Sequence, residues 1–105
     1  MKGYVELKGY EGLYWINKNG IIKNKSGLTM KSLKNDDNYS RLTLFKEGKK
    51  KNFFIHRLVA KQFISNPLRL PQVNHKNLDR SDNRVSNLEW CSIQTNALKR
   101  GDRKH

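Results

Sequence analysis

Cysteine, proline and long apolar runs are nearly absent from this chain of 105 residues. Its single cysteine, Cys91, excludes an intrachain disulfide and any zinc site built on several thiolates. No segment approaches the roughly 18 consecutive apolar residues that a membrane-spanning helix needs. Glu6 and Lys8 stand where a signal peptide would have its apolar segment. The sequence therefore predicts a cytoplasmic protein with no membrane partner.

Acidic residues are also few, since 9 aspartates and glutamates face 22 lysines and arginines, for a formal net charge of +13. Residues 1–52 carry 12 basic and 5 acidic side chains, and residues 53–105 carry 10 and 4, so the excess does not come from a basic tail. A compact chain with this charge repels itself, and a polyanionic partner is expected. Nucleic acid fits best, because an anionic membrane surface would require a basic amphipathic helix that the sequence lacks.

Hydrophobic patterning predicts short strands in the first half of the chain. Leu13–Ile16 and Ile21–Ile22 flank an Asn-Gly pair that suits a hairpin turn with positive φ. Tyr39–Lys46 alternates apolar with polar residues, and a turn at Glu47–Lys49 leads into a further strand at Phe53–Ile55. These segments predict a small antiparallel sheet module.

The second half of the chain changes to a helical period and then returns to strands. Apolar residues between Leu58 and Phe63 predict a short helix that ends before Pro67. Three further elements are expected: strands over Gln72–His75 and Leu88–Cys91, and a last helix over residues 93–100. The order of these elements predicts an α+β fold.

The polar loop of residues 76–87 is long for so small a chain, and long loops are often functional. It is not an EF-hand, because no register supplies both the glycine at position 6 and the glutamate at position 12. A nucleophilic pair of Cys91 and His75 is an alternative, but the apolar strand around Cys91 favours a small core residue. His75 beside Asn74, with Asn87 across the loop, better suits phosphodiester hydrolysis. The imidazole can take a proton from water, and side-chain oxygens can hold a divalent cation.

Three segments of the chain resemble one family of nucleases. Residues 73–96, VNHKNLDRSDNRVSNLEWCSIQTN, resemble the HNH motif of phage and intron-encoded homing endonucleases. Residues 55–64, IHRLVAKQFI, are similar to a helix typical of that subgroup, and residues 9–24, GYEGLYWINKNGIIKN, resemble a small DNA-binding module that often precedes such domains. The resemblance implies a β-β-α metal (HNH) finger around one divalent ion. It divides the chain into a β-rich DNA-binding module at 1–52 and an HNH nuclease domain at 53–105.

The same resemblance implies roles for four side chains. His75 is the general base, and Asn87 is the central asparagine of the motif, which either orients the imidazole or holds the loop. Asn74 and Asn96 are the metal ligands, for one Mg²⁺ or Mn²⁺ and not for zinc. Aspartate is common in the family at the position of Asn74, so two neutral amide oxygens are expected here. Weak metal binding is therefore predicted until DNA phosphates complete the coordination shell.

The predicted function is a metal-dependent HNH endonuclease of the homing type that nicks duplex DNA, acting as a monomer or homodimer in the nucleoid of a bacterial or phage-infected cell. Seven basic residues are expected to contact phosphates: Lys49, Lys50, Lys51, Arg80, Arg84, Lys99 and Arg100. Two alternatives remain open. The neutral residue at position 74 is compatible with a DNA-binding protein whose nuclease site has degenerated. The basic sheet and its aromatic residues are compatible with RNA binding.

Overall fold

The computed structural model describes residues 2–93. No helix in this range is long and apolar enough to cross a membrane. The described chain contains one α-helix, α1 (Ile55–Phe63), and one 3₁₀ turn, Val85–Asn87. It also contains eight short strands: β1 (Val5–Glu6), β2 (Tyr14–Ile16), β3 (Ile22–Asn24), β4 (Leu33–Lys34), β5 (Ser40–Lys46), β6 (Lys49–Phe54), β7 (Gln72–His75) and β8 (Leu88–Cys91).

The strands form three small antiparallel sheets, in the orders β1-β2-β3, β4-β5-β6 and β7-β8. The third sheet is a two-stranded hairpin whose register runs from the pair Gln72 and Cys91 to the pair His75 and Leu88. Helix α1 packs against both strands of this hairpin and against β5 and β6. The predicted α+β fold with small antiparallel sheets is confirmed. The helix expected over residues 93–100 lies beyond the described residues.

One apolar core joins the three sheets through α1. The alternation in β5 buries Leu42 and Leu44 and leaves Arg41 exposed, as the sequence pattern predicts. Leu44 of β5 and Val59 of α1 are both completely inaccessible to solvent. The buried apolar residues come from all three sheets and the helix, and they include Leu7, Ile16, Ile22, Leu42, Leu44, Leu58, Val59, Val73 and Leu88. The core therefore holds the β7-β8 hairpin in a fixed position relative to the N-terminal sheets.

Asparagines close three of the turns in the same way. The Oδ1 atoms of Asn17, Asn24 and Asn35 each accept hydrogen bonds from two backbone N–H groups, two and four residues later in the chain. Such bonds replace the backbone partners that a tight turn cannot supply. The first of these turns, at residues 17–20, lies against the loop between β7 and β8.

The start of β6 and the start of α1 differ from the bounds that hydrophobic patterning predicts. Strand β6 begins at Lys49 and not at Phe53, because three lysines pair their backbones with β5 while their side chains remain exposed. Ile55 belongs to α1 and not to the preceding strand, since the chain passes from β6 into the helix without a loop. Its side chain is buried, and apolar character alone does not distinguish a strand end from a helix start. The boundary drawn between residues 52 and 53 falls within β6, and the division into two domains stays a prediction.

Candidate active site

Two of the predicted site residues are neighbours at the end of β7. His75 pairs with Leu88 of β8, and Asn74 pairs with Glu89. Because successive residues of a strand face opposite sides, His75 and Asn74 project to different faces of the hairpin. Both side chains are buried, with His75 4% exposed and Asn74 7% exposed. The histidine and the amide are therefore adjacent in the hairpin, but their side chains contact different neighbours.

The imidazole of His75 is held by Asn83 from the loop between β7 and β8. Its Nε2 atom lies 2.9 Å from Oδ1 of Asn83, and the asparagine is itself buried. A carboxamide oxygen only accepts hydrogen bonds, so Nε2 carries the proton and Nδ1 is the basic nitrogen of the neutral ring. This geometry suits a general base whose tautomer and orientation are set by a buried partner.

Asn87 stabilises the loop between β7 and β8 through hydrogen bonds to other residues of that loop. Its Oδ1 accepts a hydrogen bond from the backbone N–H of Asn77 at 3.0 Å, and its Nδ2 donates to Oδ1 of Asn77 at 3.0 Å and to the carbonyl of Asp82 at 2.9 Å. In the described part of the chain no hydrogen bond joins it to His75. Of the two roles expected for Asn87, this geometry matches the holding of the loop. The bond to Asp82 fixes the backbone next to Asn83, whose side chain contacts the imidazole.

A second histidine packs against His75. The ring of His56, in the first turn of α1, has its centroid 5.0 Å from that of His75 and is stacked on Tyr39 at an interplanar angle of 26°. Its buried Nδ1 has no hydrogen-bond partner within the described structure. Burial, together with the nearby His75 and Arg57, lowers the pKa of His56 from 6.5 to about 3. At neutral pH His56 is therefore an uncharged packing partner of His75.

Asn74 presents an amide oxygen that fits a hard cation. Its Nδ2 donates a hydrogen bond to Oε1 of Glu89 at 3.0 Å, and no hydrogen bond within residues 2–93 engages its Oδ1. Amide oxygens such as this one, and carboxylate oxygens, are ligands that suit Mg²⁺ or Mn²⁺. No group of three or more His, Cys, Asp or Glu side chains that could hold a metal ion occurs among the described residues. The second predicted ligand, Asn96, lies outside them.

Two of the arginines expected to contact DNA are engaged within the protein. The guanidinium of Arg84 donates hydrogen bonds to both carboxylate oxygens of Asp82, at 2.8 and 2.7 Å. This pairing lowers the pKa of Asp82 and raises the pKa of Arg84. Arg80 donates to the carbonyl of Asp37 at 2.8 Å, and its guanidinium lies 4.7 Å from the ring centroid of Tyr39. Part of the charge of Arg84 is thus offset locally, whereas Arg80 is held beside the aromatic cluster around His56.

The three lysines expected to contact DNA lie together at the start of β6. Lys49, Lys50 and Lys51 are all exposed along this strand. At its other end, the ring of Phe54 is 5.6 Å from that of His56, centroid to centroid. The lysines and the candidate site are therefore connected by a single strand. Lys99 and Arg100 lie outside the described residues.

The first hairpin turn supports the loop that carries Asn83. Gly20 has a φ of +82°, and a Cβ at this position would lie 3.1 Å from both the Cβ and the carbonyl oxygen of Asn83. Nearby, the carbonyl of Lys18 accepts a hydrogen bond from the N–H of Val85 at 2.8 Å. The turn and the loop are in direct contact through a position that glycine alone fills without strain.

Gly20→Ala is expected to destabilise the protein by about 1–3 kcal/mol more than Gly27→Ala does, because the added methyl group meets the loop at Asn83. The two glycines have nearly the same φ, +82° and +80°, but nothing lies within 4 Å of a Cβ at Gly27. The difference between the two variants therefore isolates the contact. Urea denaturation measures both free energies of unfolding. Equal destabilisation of the two variants would contradict the contact.

The sequence analysis did not place Asn83 or Glu89 beside the predicted site residues. Asn83 is one of several asparagines in a polar loop, and only closure of the loop shows which of them meets His75. Glu89 carries a detectable signal. The strands Gln72–His75 and Leu88–Cys91 have the predicted bounds, and pairing them end to end in antiparallel order places Glu89 opposite Asn74.

Comparison with known proteins finds one matching family model and several similar proteins. Residues 53–98 match the family model described as HNH endonuclease. The DNA endonuclease I-HmuI of Bacillus phage SP01 is 39% identical over 92 residues, which are 87% of this chain and 53% of that protein. An uncharacterized HNH endonuclease of Acanthamoeba polyphaga mimivirus is 42% identical over 85 residues, 80% of this chain and 26% of that protein. The chain thus spans about half of the phage relative and about a quarter of the viral one.

A solved structure described as "DNA binding and cleavage by the HNH homing endonuclease I-HmuI" has the same backbone arrangement. It superposes with a TM-score of 0.87 and 37% sequence identity, over 96% of this chain and 59% of that chain. The similarity therefore includes the N-terminal sheets as well as the hairpin that carries His75.

Proposed function

We propose that this chain belongs to the HNH endonuclease family and is a metal-dependent endonuclease of the homing type that cuts one strand of duplex DNA. The observation that carries the proposal is the buried His75, with Nε2 bonded to Asn83 and Nδ1 left as the basic nitrogen. The excess of basic residues and the descriptions of the relatives support DNA as the substrate.

In the proposed reaction, Nδ1 of His75 takes a proton from a water molecule while the water oxygen attacks the phosphorus atom. The bond between phosphorus and the 3′ oxygen breaks, and the departing oxygen takes up a proton, which leaves a 5′-phosphate and a 3′-hydroxyl end. The imidazolium that forms is stabilised by Oδ1 of Asn83, which keeps its hydrogen bond to Nε2–H. Asn87 supports this step by fixing the loop segment that precedes Asn83.

One Mg²⁺ or Mn²⁺ ion is proposed to be held by Oδ1 of Asn74 and by Asn96. When bound, such an ion supplies positive charge that stabilises the pentacovalent phosphate and the departing 3′ oxygen. The described part of the site fits a hard cation, because Asn74 offers an oxygen with no hydrogen bond within residues 2–93. A cysteine-rich zinc site is excluded by the single cysteine of the chain.

DNA is proposed to run from the site along β6. The strand spans about 17 Å from Lys49 to Phe54, which corresponds to about five base pairs of duplex. Lys49, Lys50 and Lys51 can then contact phosphates about half a helical turn from the cut. Arg80, Arg84, Lys99 and Arg100 complete the proposed contacts, with Arg84 contributing less because Asp82 offsets its charge. In this proposal the sheets of residues 1–52 bind DNA and residues 53–105 cut it.

A single site per chain predicts a nick and not a double-strand break. Two subunits acting together, or two successive reactions, are required to cut both strands. The proposal therefore applies to a monomer, and a homodimer would cut both strands only if its two sites faced opposite strands.

Incubation of supercoiled plasmid with the protein and Mg²⁺ or Mn²⁺ tests the proposed function. The expected product is open-circular DNA, and chelation of the metal by EDTA is expected to stop its formation. Supercoiled DNA that persists with either metal, while a gel shift shows bound DNA, would instead support the degenerate site that the neutral Asn74 makes an alternative. Ligation of the nicked product without prior end repair checks for the 5′-phosphate and 3′-hydroxyl ends.

A further inference from the structure

We propose that Glu89 is a positioning residue for the metal site, acting through Asn74. This inference rests on the proposed function, because it takes Asn74 as a metal ligand. Glu89 adds two properties to that ligand: it determines which end of the amide is available to a cation, and it places a negative charge directly behind the amide. Neither property follows from the residues at the two ligand positions alone.

The orientation of the amide follows from the hydrogen bond between the two side chains. Glu89 and Asn74 are directly opposite each other in the β7-β8 ladder, so their side chains lie on the same face of the hairpin. The distance from Nδ2 of Asn74 to Oε1 of Glu89 is 3.0 Å. An ionised carboxylate only accepts hydrogen bonds, so the NH₂ end of the amide turns toward Glu89 and Oδ1 turns away from it. With Asn74 7% exposed, the amide has little room to rotate out of this orientation.

The charge of Glu89 compensates for the neutral residue at position 74. A carboxylate that accepts a hydrogen bond from Nδ2 draws the amide electrons toward Oδ1 and makes that oxygen a stronger ligand. Its negative charge also attracts the cation directly, since it lies one amide away from Oδ1 of Asn74. Weak metal binding is expected for two neutral oxygens alone, without a carboxylate bonded to one of the two amides. Asn74 and Glu89 together therefore bring one carboxylate next to the ligand position.

Titration calorimetry with Mn²⁺ on the whole chain tests this proposal, both without DNA and with an uncleavable phosphorothioate duplex. Glu89→Leu is expected to weaken Mn²⁺ binding by about 10–100-fold, the usual effect of removing a partner of a metal ligand. Glu89→Gln keeps an acceptor for Nδ2 but loses the charge, so its affinity is expected to lie between those of the wild type and Glu89→Leu. Thermal unfolding of each variant shows that the fold is retained.

A reversed pair provides the matched control. In the double variant Asn74→Asp with Glu89→Gln, the charge moves to the ligand position and the amide of residue 89 donates the hydrogen bond. This variant is expected to bind Mn²⁺ at least as tightly as the wild type and more tightly than Glu89→Gln alone. If the double variant binds Mn²⁺ as weakly as Glu89→Gln does, residue 89 affects the fold and not the charge at the site.

The outcomes separate this inference from the proposed function. Wild-type protein that binds Mn²⁺ with the same affinity as both single variants would overturn the role of Glu89 and leave the metal-dependent nuclease intact. Wild-type protein that binds no Mn²⁺ under either condition would overturn both.

Discussion

His75→Ala is expected to slow plasmid nicking by about 10²–10⁴-fold, the range for loss of a general base, while binding to the same DNA is retained. The imidazole is the group proposed to take the proton from water, and Nε2 is already committed to Asn83 at 2.9 Å. Since His75 is only 4% exposed, it contributes little surface to a contact with DNA. Nicking rates at saturating enzyme, together with gel-shift affinities, measure the two effects separately.

Addition of imidazole to the nicking assay is the control, because no rescue is expected if His75 has only a structural role. The His75→Ala variant lacks a base but keeps the loop and the hairpin, so imidazole in solution is expected to restore part of the nicking rate. Asn83→Ala is expected to give a smaller loss, because the base is present but its tautomer is no longer set. Equal loss of cleavage and of DNA affinity in His75→Ala, with no rescue by imidazole, would show that His75 only supports the fold.

Acid is expected to destabilise the protein through His56 well before the carboxylates are protonated. The pKa of His56 falls from 6.5 to about 3 on folding, so between these values the unfolded chain binds a proton that the folded chain does not. The free energy of unfolding is therefore not reduced by His56 above pH 6.5, and it decreases as the pH falls from 6.5 toward 3. Between pH 6.5 and 4.5 the expected loss is about 2–3 kcal/mol, which denaturant titrations at several pH values measure.

His56→Phe is the matched variant for this experiment. It keeps an aromatic ring beside Tyr39 and His75 but has no nitrogen that titrates. The dependence of stability on pH between 6.5 and 4.5 is expected to become much flatter. Below about pH 4 both proteins are expected to lose further stability, because the pKa values of Asp79 and Asp82 are lowered in the folded state. Full pH dependence in His56→Phe would show that the effect comes from another group.

Local patterning predicted the elements that carry the site. Gln72–His75 and Leu88–Cys91 were expected as strands on either side of the polar loop of residues 76–87, and they have those bounds. The expected hairpins around residues 17–20 and 47–48 also form, since turns of this kind depend on the residues within them. Patterning did not predict the start of β6, where exposed lysines make the backbone ladder without contributing to the core.

Local sequence placed His75 and Asn74 side by side at a strand end next to a long polar loop, and the structure has them there. Their roles as base and metal ligand, which the family resemblance implies, stay predictions. The partner of the imidazole depends on how a loop of about ten residues closes. In the folded chain Asn83 meets His75, and Asn87 holds the loop.

The amino-acid sequence alone specified the charge of this chain, most of its strands and turns, and the kinds of side chain at the candidate site. Each of these is a property of neighbours along the chain or of simple composition. Folding in three dimensions specified which side chains meet: Asn83 with His75, Glu89 with Asn74, and His56 with both His75 and Tyr39. Their positions depend on strand register, loop closure and the packing of α1 on the hairpin. These long-range contacts are fixed by burial of the shared core, to which all three sheets and α1 contribute.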